Sequence, residues 1–385
     1  MHKHWDIFCK IIDNFGDIGV CWRLARQLQA EHGLQVRLWI DDPAVAKQLI
    51  PSLNINLQTQ VIQNISINRW HADSVFNKSA EVVIEAFSCG LPAAYLSKMR
   101  PNTVWINLEY LSAETWVDSF HAGSSKQGDL TRHFFFPGFT PATGGLLREH
   151  DIVKNNQQLA SSKPLQHQFL NQLNLEQHNR DHSNRLKISL FCYPHAPIHA
   201  LLSAMANANQ PIDCYVPASS ILPTVAGFFG KDSIVAGKVL THQNLNLYVL
   251  PFLSQADYDK LLAICDVNFV RGEDSWIRAI WAEKPFIWQP YVQSEETHIT
   301  KLKAFLALFY DGFDNPSRQS SYDVHLAWGG NDISTEIWQH YLNNLAPLKA
   351  LTLQQSNTLA AQADLATKLV IFSEKIIKNI VKNKV

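Results

Sequence analysis

A chain of 385 residues in which 46% of the side chains are hydrophobic can bury a large core, and at roughly 100 to 200 residues per domain it is long enough for two domains. Its 33 Lys and Arg are matched by 34 Asp and Glu, so no cationic surplus exists to release counterions from a nucleic-acid backbone, and general DNA or RNA binding is disfavoured. The six cysteines, Cys9, Cys21, Cys89, Cys192, Cys214 and Cys265, lack the short paired spacings of zinc or redox motifs and read as reduced core thiols. With no apolar run of an export signal in residues 1–6 and no apolar stretch of about 20 residues anywhere, the expected compartment is the cytoplasm.

Residues 5–12, Trp-Asp-Ile-Phe-Cys-Lys-Ile-Ile, are rich in β-formers and too short for a typical helix, which predicts a strand stopping at Asp13. A glycine-bearing loop follows. From Val20 the apolar positions Val20, Trp22, Leu24, Ala25 and Leu28 suit one helix face, and 35–40 reads as a second strand. Apolar runs at 81–87 and 103–108, each leading into a polar or glycine-containing turn, extend this into a doubly wound, mainly parallel sheet. Between residues 154 and 185 the composition shifts to Gln, Asn, His and Ser, too polar for a core of its own. The domain boundary is placed there, giving an N-terminal domain over 1–165 and a C-terminal domain over 166–365. The second domain repeats the α/β pattern, with strands at 186–192, 212–216 and 247–250, a helix at 254–265, and a short strand at 266–270 ahead of a helix from Trp276. A final helical segment over 366–385 ends in lysines that suit the negative end of a helix dipole.

In open α/β sheets ligands bind at the carboxyl ends of the strands, so the loops just after strands are where chemistry is expected. Two such loops are unusual. The first, Asp13-Asn14-Phe15-Gly16-Asp17-Ile18-Gly19, sets two carboxylates among two glycines and lacks the Gly-x-Gly-x-x-Gly spacing of a dinucleotide site. An ordinary reading has Asp17 capping the helix and Asp13 ending the strand. The second, Arg271-Gly272-Glu273-Asp274-Ser275-Trp276, puts a guanidinium at a helix N-terminus, where free amides attract a diphosphate. There too the alternative is an ordinary cap at Asp274 or Ser275 and a surface ion pair for Arg271. An acidic loop in one domain and a phosphate-binding loop in the other fit a glycosyltransferase, with acceptor and donor on facing sides of a cleft.

The stretch from Asp13 to Arg26, Asp-Asn-Phe-Gly-Asp-Ile-Gly-Val-Cys-Trp-Arg-Leu-Ala-Arg, resembles the opening of the protein-arginine rhamnosyltransferases that modify translation elongation factor P. Further matches in the family's order are Val-Arg-Leu-Trp-Ile-Asp-Asp at 36–42, Asn-Leu-Glu-Tyr-Leu-Ser-Ala-Glu at 107–114, Gly-Gly-Leu-Leu-Arg-Glu at 144–149 and Arg-Gly-Glu-Asp-Ser at 271–275. The resemblance implies a glycosyltransferase-B fold, two facing Rossmann-like domains with a C-terminal helix crossing back to the first. It also implies dTDP-β-L-rhamnose as donor, inversion at the sugar, no metal ion or other cofactor, and elongation factor P as protein acceptor, activated to rescue ribosomes stalled on polyproline. Nothing in it implies a nucleic-acid or membrane partner. No tight His, Cys or carboxylate ligand cluster is visible in the sequence, although His195 and His199, flanking Pro197, are the one pair weighed as metal ligands.

A protonated guanidinium is a poor nucleophile, so an arginine acceptor requires acidic groups that grip it, aim one nitrogen and take its proton. By the family pattern Asp17 is the base and Asp13 its partner in orienting the arginine, with exchange of the two roles left open, and Glu273 supports sugar or guanidinium. The resemblance likewise places Phe15, Gly16, Arg271, Asp274 and Ser275 on the donor. Tyr193, Phe252, Gln255 and Tyr291 follow or flank strands where an aromatic face can stack on thymine and an amide can read its edge, although each aromatic alone is more often core than ligand. Glu109 and Tyr110 line the acceptor side or pack at a strand end. Rival readings are a transferase or epimerase for another nucleotide sugar, and an inactive module that docks on a translation factor.

Overall fold

The computed structural model describes residues 4–12, 15–173, 175, 184–293, 296–312, 315–330 and 332–382. The chain forms two compact units, one of residues 1–150 with 359–385 and the other of 151–358.

The first unit contains β1 (His4–Cys9), α1 (Phe15–His32), β2 (Gln35–Ile40), α2 (Pro43–Leu49), β3 (Thr59–Ile62), β4 (Ile65–Arg69), β5 (Val82–Ala86), α3 (Ala93–Leu96), β6 (Val104–Leu108), α4 (Trp116–Phe120), β7 (Ser124–Gln127) and β8 (Leu130–Phe135). The strands make one eight-stranded sheet in the order β3-β4-β2-β1-β5-β6-β8-β7. Neighbours from β4 to β8 are parallel, and β3 and β7 are antiparallel edges. β5 and β6 are buried at every position, as parallel strands covered on both faces must be. From β1 the chain winds outward through β2 to β4, then returns to β5 and winds the other way. The order therefore reverses between β1 and β5, where such sheets open a crevice at their carboxyl ends.

Local chemistry fixes several helix starts. Asp42 accepts the N–H groups of Ala44 and Val45 at 2.9 and 3.1 Å ahead of Pro43, the first residue of α2. Beneath the sheet, Phe8 stacks on Trp39 with centroids 5.5 Å apart and meets Trp70 and Tyr95 edge-on. Asp6, wholly buried on β1, accepts two hydrogen bonds of 2.6 Å from Arg37 and another from the Tyr95 hydroxyl.

The second unit contains α5 (Ile152–Ser161), α6 (Lys163–Gln172), β9 (Leu186–Leu190), α7 (Ile198–Ala206), β10 (Ile212–Pro217), α8 (Leu222–Phe228), β11 (Val239–His242), β12 (Leu245–Leu250), α9 (Gln255–Ile264), β13 (Val267–Arg271), α10 (Asp274–Trp281), β14 (Phe286–Gln289), α11 (Thr297–Phe309), α12 (Asn315–Gly329), α13 (Thr335–Asn343) and most of α14 (Leu345–Ala360). Its six strands run β11-β12-β10-β9-β13-β14, parallel except for β11. Here the winding reverses between β9 and β13. Trp276 stacks on Trp288 at 3.6 Å in the core, and a buried pair of 3.0 Å bonds joins Arg278 to Asp259.

The last helix, α15 (Leu365–Lys382), belongs to the first unit, where Phe372 packs against His121, His133 and Phe135. Gly145, at φ +73°, lets the chain pass so close to Ala363 that a Cβ would lie 2.8 Å from its carbonyl oxygen.

Three expectations about extent change. The boundary read at 165 falls between 150 and 151, because α5 packs on α9 and Asn156 donates to the Trp281 carbonyl at 3.0 Å. The opening strand ends at Cys9, three residues short of Ile12, and the first helix starts at Phe15 rather than Val20. The final helix, α15, is separated from α14 by a break at 361–364.

Candidate active site

Phe15, Gly16 and Asp17, read as loop, form the first turn of α1, directly after the central strand β1. Asp13 lies outside the described residues. Asp17 is only 2% exposed. Its carboxylate does not occupy the cap position; Oδ2 accepts the Ile12 N–H at 2.7 Å and Oδ1 accepts the Tyr110 hydroxyl at 3.2 Å. The carboxylate is thereby fixed from two directions at the β1–β5 reversal.

The tyrosine is itself held. Its ring stacks on Phe87, with centroids 4.4 Å apart and planes 14° from parallel. Phe87 and Ser88, just past β5, sit at φ +57° and +53°. Left-handed backbone at two consecutive non-glycine residues is costly, and it persists where the surroundings enforce it. Here the Phe87 N–H is tied to the Leu108 carbonyl at 2.7 Å and the Ser88 N–H to Asn107 Oδ1 at 3.2 Å.

Behind this turn lies a polar group of which sequence reasoning names only Glu109 as a site residue. Arg132 of β8 donates to Asn107 Oδ1 at 2.8 Å and pairs with the buried Glu85 at 3.1 Å. Asn107 in turn donates to Glu109. Burial pushes the Glu109 carboxyl up, opposed by Arg132 and by the Asn107 bond. Glu109 therefore anchors strand ends, while Tyr110, 36% exposed, reaches Asp17. The polar side chains on otherwise apolar strands, Glu85 and Asn107, are the signal for this group in the sequence.

In the second unit the loop after β13 lies at the β9–β13 reversal. The Arg271 guanidinium lies 4.5 Å from the ring centres of both Phe191 and Tyr193, and Nη1 donates to the Cys192 carbonyl at 3.3 Å. It is an aromatic-flanked cation, not a surface ion-pair partner. Gly272 turns at φ +59°, and its carbonyl accepts the Trp288 indole N–H at 2.7 Å. Glu273 occupies the cap position of α10, and its side chain makes no capping bond. Ser275, rather than capping, accepts the Arg271 N–H at 2.9 Å and donates to the Arg271 carbonyl, closing the loop on itself.

Gln255, buried, donates to Asp274 at 3.4 Å, which brings these two predicted donor residues together. Tyr193 is buried and meets the exposed ring of Tyr291 edge-on at 5.8 Å. Phe252, also exposed, stands at the start of the segment leading to α9. Sequence reasoning missed Phe191 and Gln289. Gln289 Oε1 accepts the Tyr193 N–H at 2.9 Å, and its amide nitrogen lies 3.2 Å from His195 Nε2. His195 and His199 do not form a ligand set; among the described residues no group of three or more His, Cys, Asp or Glu side chains is gathered as metal ligands. All six cysteines are free thiols, and no described helix is long and apolar enough to cross a membrane.

Comparison with known proteins places this arrangement. Residues 5–374 match the family described as Elongation-Factor P (EF-P) rhamnosyltransferase EarP. The protein-arginine rhamnosyltransferase of Pseudomonas aeruginosa is 40% identical over 372 residues, covering 96% of this chain and 98% of that protein. That of Shewanella oneidensis is 37% identical over 394 residues, with 97% and 98% covered. A solved structure described as the structural basis for EarP-mediated arginine glycosylation of translation elongation factor EF-P superposes with a TM-score of 0.70 at 32% identity, covering 97% of this chain and 99% of that one. Apo UGT2 of Phytolacca americana, 10% identical with a TM-score of 0.50 and covering 98% and 100%, shares the fold alone.

Proposed function

The chain belongs to the EarP family of elongation factor P rhamnosyltransferases, protein-arginine glycosyltransferases of the glycosyltransferase-B fold, and from that premise we propose that it moves L-rhamnose from dTDP-β-L-rhamnose, with inversion, to a guanidinium nitrogen of one arginine in translation elongation factor P. The observation that carries the reading is the carboxylate of Asp17, buried in the first turn of α1 and aimed by Ile12 and Tyr110.

The chemistry follows from the acceptor. A guanidinium keeps its proton at neutral pH and spreads its lone pairs, so a carboxylate that grips one N–H localises electron density on that nitrogen. The nitrogen attacks the anomeric carbon as the bond to the diphosphate oxygen breaks, through an oxocarbenium-like state. The electron pair leaves with dTDP, and the proton of the attacking nitrogen passes to Asp17. Asp13 is the partner that orients the arginine, and Glu273 supports the sugar or guanidinium. The departing diphosphate is stabilised by Arg271 and by the positive end of the α10 helix dipole, with no metal ion assigned a part. Phe15, Gly16, Asp274 and Ser275 complete the donor contacts, while Phe252, Gln255, Tyr193 and Tyr291 hold the thymine.

Modification of the factor in this reading activates it for ribosomes stalled on polyproline. Single-turnover reactions with dTDP-L-rhamnose, dTDP-glucose and UDP-glucose test the donor, and proton NMR of the product tests the stereochemistry. Transfer from dTDP-L-rhamnose alone with an α-linked product is expected; equal use of the other sugars or a β-linked product would refute it.

A further inference from the structure

We propose that His195 is a further donor-binding residue, locked as a neutral imidazole by Gln289 so that its Nδ1–H donates to the diphosphate of the nucleotide sugar, a role that rests on the donor lying beside Arg271 as proposed above. Gln289 is the last residue of β14, is buried, and is paired in register with Arg271. The Tyr193 backbone N–H meets one end of its amide at 2.9 Å. A backbone N–H can only donate, so the atom it meets is the carbonyl oxygen. The other end, the NH2 group, is then the one that lies 3.2 Å from His195 Nε2. An amide NH2 also can only donate, so Nε2 supplies a lone pair and the ring's one proton resides on Nδ1.

Protonating Nε2 would set N–H against N–H. Turning the amide to relieve that would set NH2 against the Tyr193 N–H. The surroundings act in the same direction, because partial burial lowers the His195 pKa, as do the nearby His298 of α11 and Arg271 of β13. The ring lies parallel to that of Tyr193, at 8° with centroids 5.6 Å apart, and Tyr193 flanks the Arg271 guanidinium at 4.5 Å. His195 thus stands one aromatic ring away from the cation assigned to the diphosphate and offers the phosphate a neutral hydrogen-bond donor.

The test uses the full-length protein with 15N-labelled histidine. Long-range proton–nitrogen spectra across a pH titration should show His195 protonated on Nδ1, with a midpoint below the usual value near 6.5. Addition of dTDP-L-rhamnose, whose phosphates do not titrate in this range, should shift the Nδ1–H resonance and leave the ring neutral. In kinetics, His195→Ala should raise the donor KM about threefold to tenfold, the worth of one hydrogen bond, with kcat within about twofold. His195→Asn, whose amide nitrogen occupies the Nδ1 position, should restore the KM; His195→Gln, which replaces Nε2, should not. A ring protonated on Nε2 or cationic at pH 7 would overturn the proposal. So would an unmoved His195 signal when other resonances respond to dTDP-L-rhamnose, and that result would leave the donor assignment standing. A protein in which no resonance responds would overturn both.

Discussion

Tyr110 donates its hydroxyl to Asp17 Oδ1 at 3.2 Å, while the other oxygen of the same carboxylate accepts the Ile12 N–H at 2.7 Å. Asp17 therefore keeps a fixed plane, and in the proposed mechanism that plane aims the acceptor nitrogen. Tyr110→Phe keeps the stack on Phe87 and removes one hydrogen bond to a charged acceptor, worth about 1.5 kcal/mol at this length and exposure. We expect kcat to fall about tenfold with the donor KM unchanged. An unchanged kcat would mean that Tyr110 only fills space.

Arg271 is preorganised between two aromatic faces, each 4.5 Å away. Arg271→Lys keeps the charge and loses the planar fork that stacks and binds phosphate through two N–H groups. We expect a donor KM raised at least tenfold, and a smaller rise of about threefold for Phe191→Leu, which removes one face. Calorimetry with dTDP checks both; equal affinities for the wild type and Arg271→Lys would remove Arg271 from the donor site.

Asp6 carries a charge with no solvent access and relies on Arg37 and Tyr95 to offset it. Arg37→Met strands that charge and should destabilise the first unit by about 3 kcal/mol, read from the urea midpoint at constant slope. Asp6→Asn with Arg37→Met should recover part of the loss, because the pair is then removed from both sides.

His121 and His133 pack against Phe372 of α15, and burial lowers the pKa of both, with Lys368 and Lys126 adding to it. A histidine whose folded pKa is lowered binds fewer protons folded than unfolded. Its contribution is complete above the unfolded value near 6.5 and is lost as the pH falls through it. Amide exchange in α15 should therefore quicken between about pH 7.5 and 5.5, beyond the intrinsic change, and less so in His133→Phe.

Much of this molecule was legible in the sequence, for physical reasons. β2 stands out because its apolar residues alternate, with Val36, Leu38 and Ile40 buried, and its expected limits, 35–40, are the observed ones. The acidic loop after β1 and the Arg271 loop stand out because charge and glycine directly follow a strand. Less was legible where tertiary contacts decide. The expected α1 start lies five residues late because Gly16 and Gly19 read as loop, and Asp17 reads as a cap ahead of the helix, whereas it lies inside the first turn. The polar 154–185 segment hides α5 and α6, whose few apolar residues dock on a neighbouring helix. Phe87, Arg132 and Gln289 act through partners 23, 25 and 96 positions away, Tyr110, Asn107 and Tyr193, a relation that no local pattern encodes.

The most direct test incubates translation elongation factor P with this protein and dTDP-L-rhamnose, and follows the intact mass and the modified peptide beside Asp17→Asn. We predict one deoxyhexose on one arginine, formed at least about a hundredfold more slowly by the variant, as the loss of a general base requires. An unmodified factor, with the enzyme folded and the donor intact, would contradict the proposed reaction; a variant as fast as the wild type would contradict the role of Asp17.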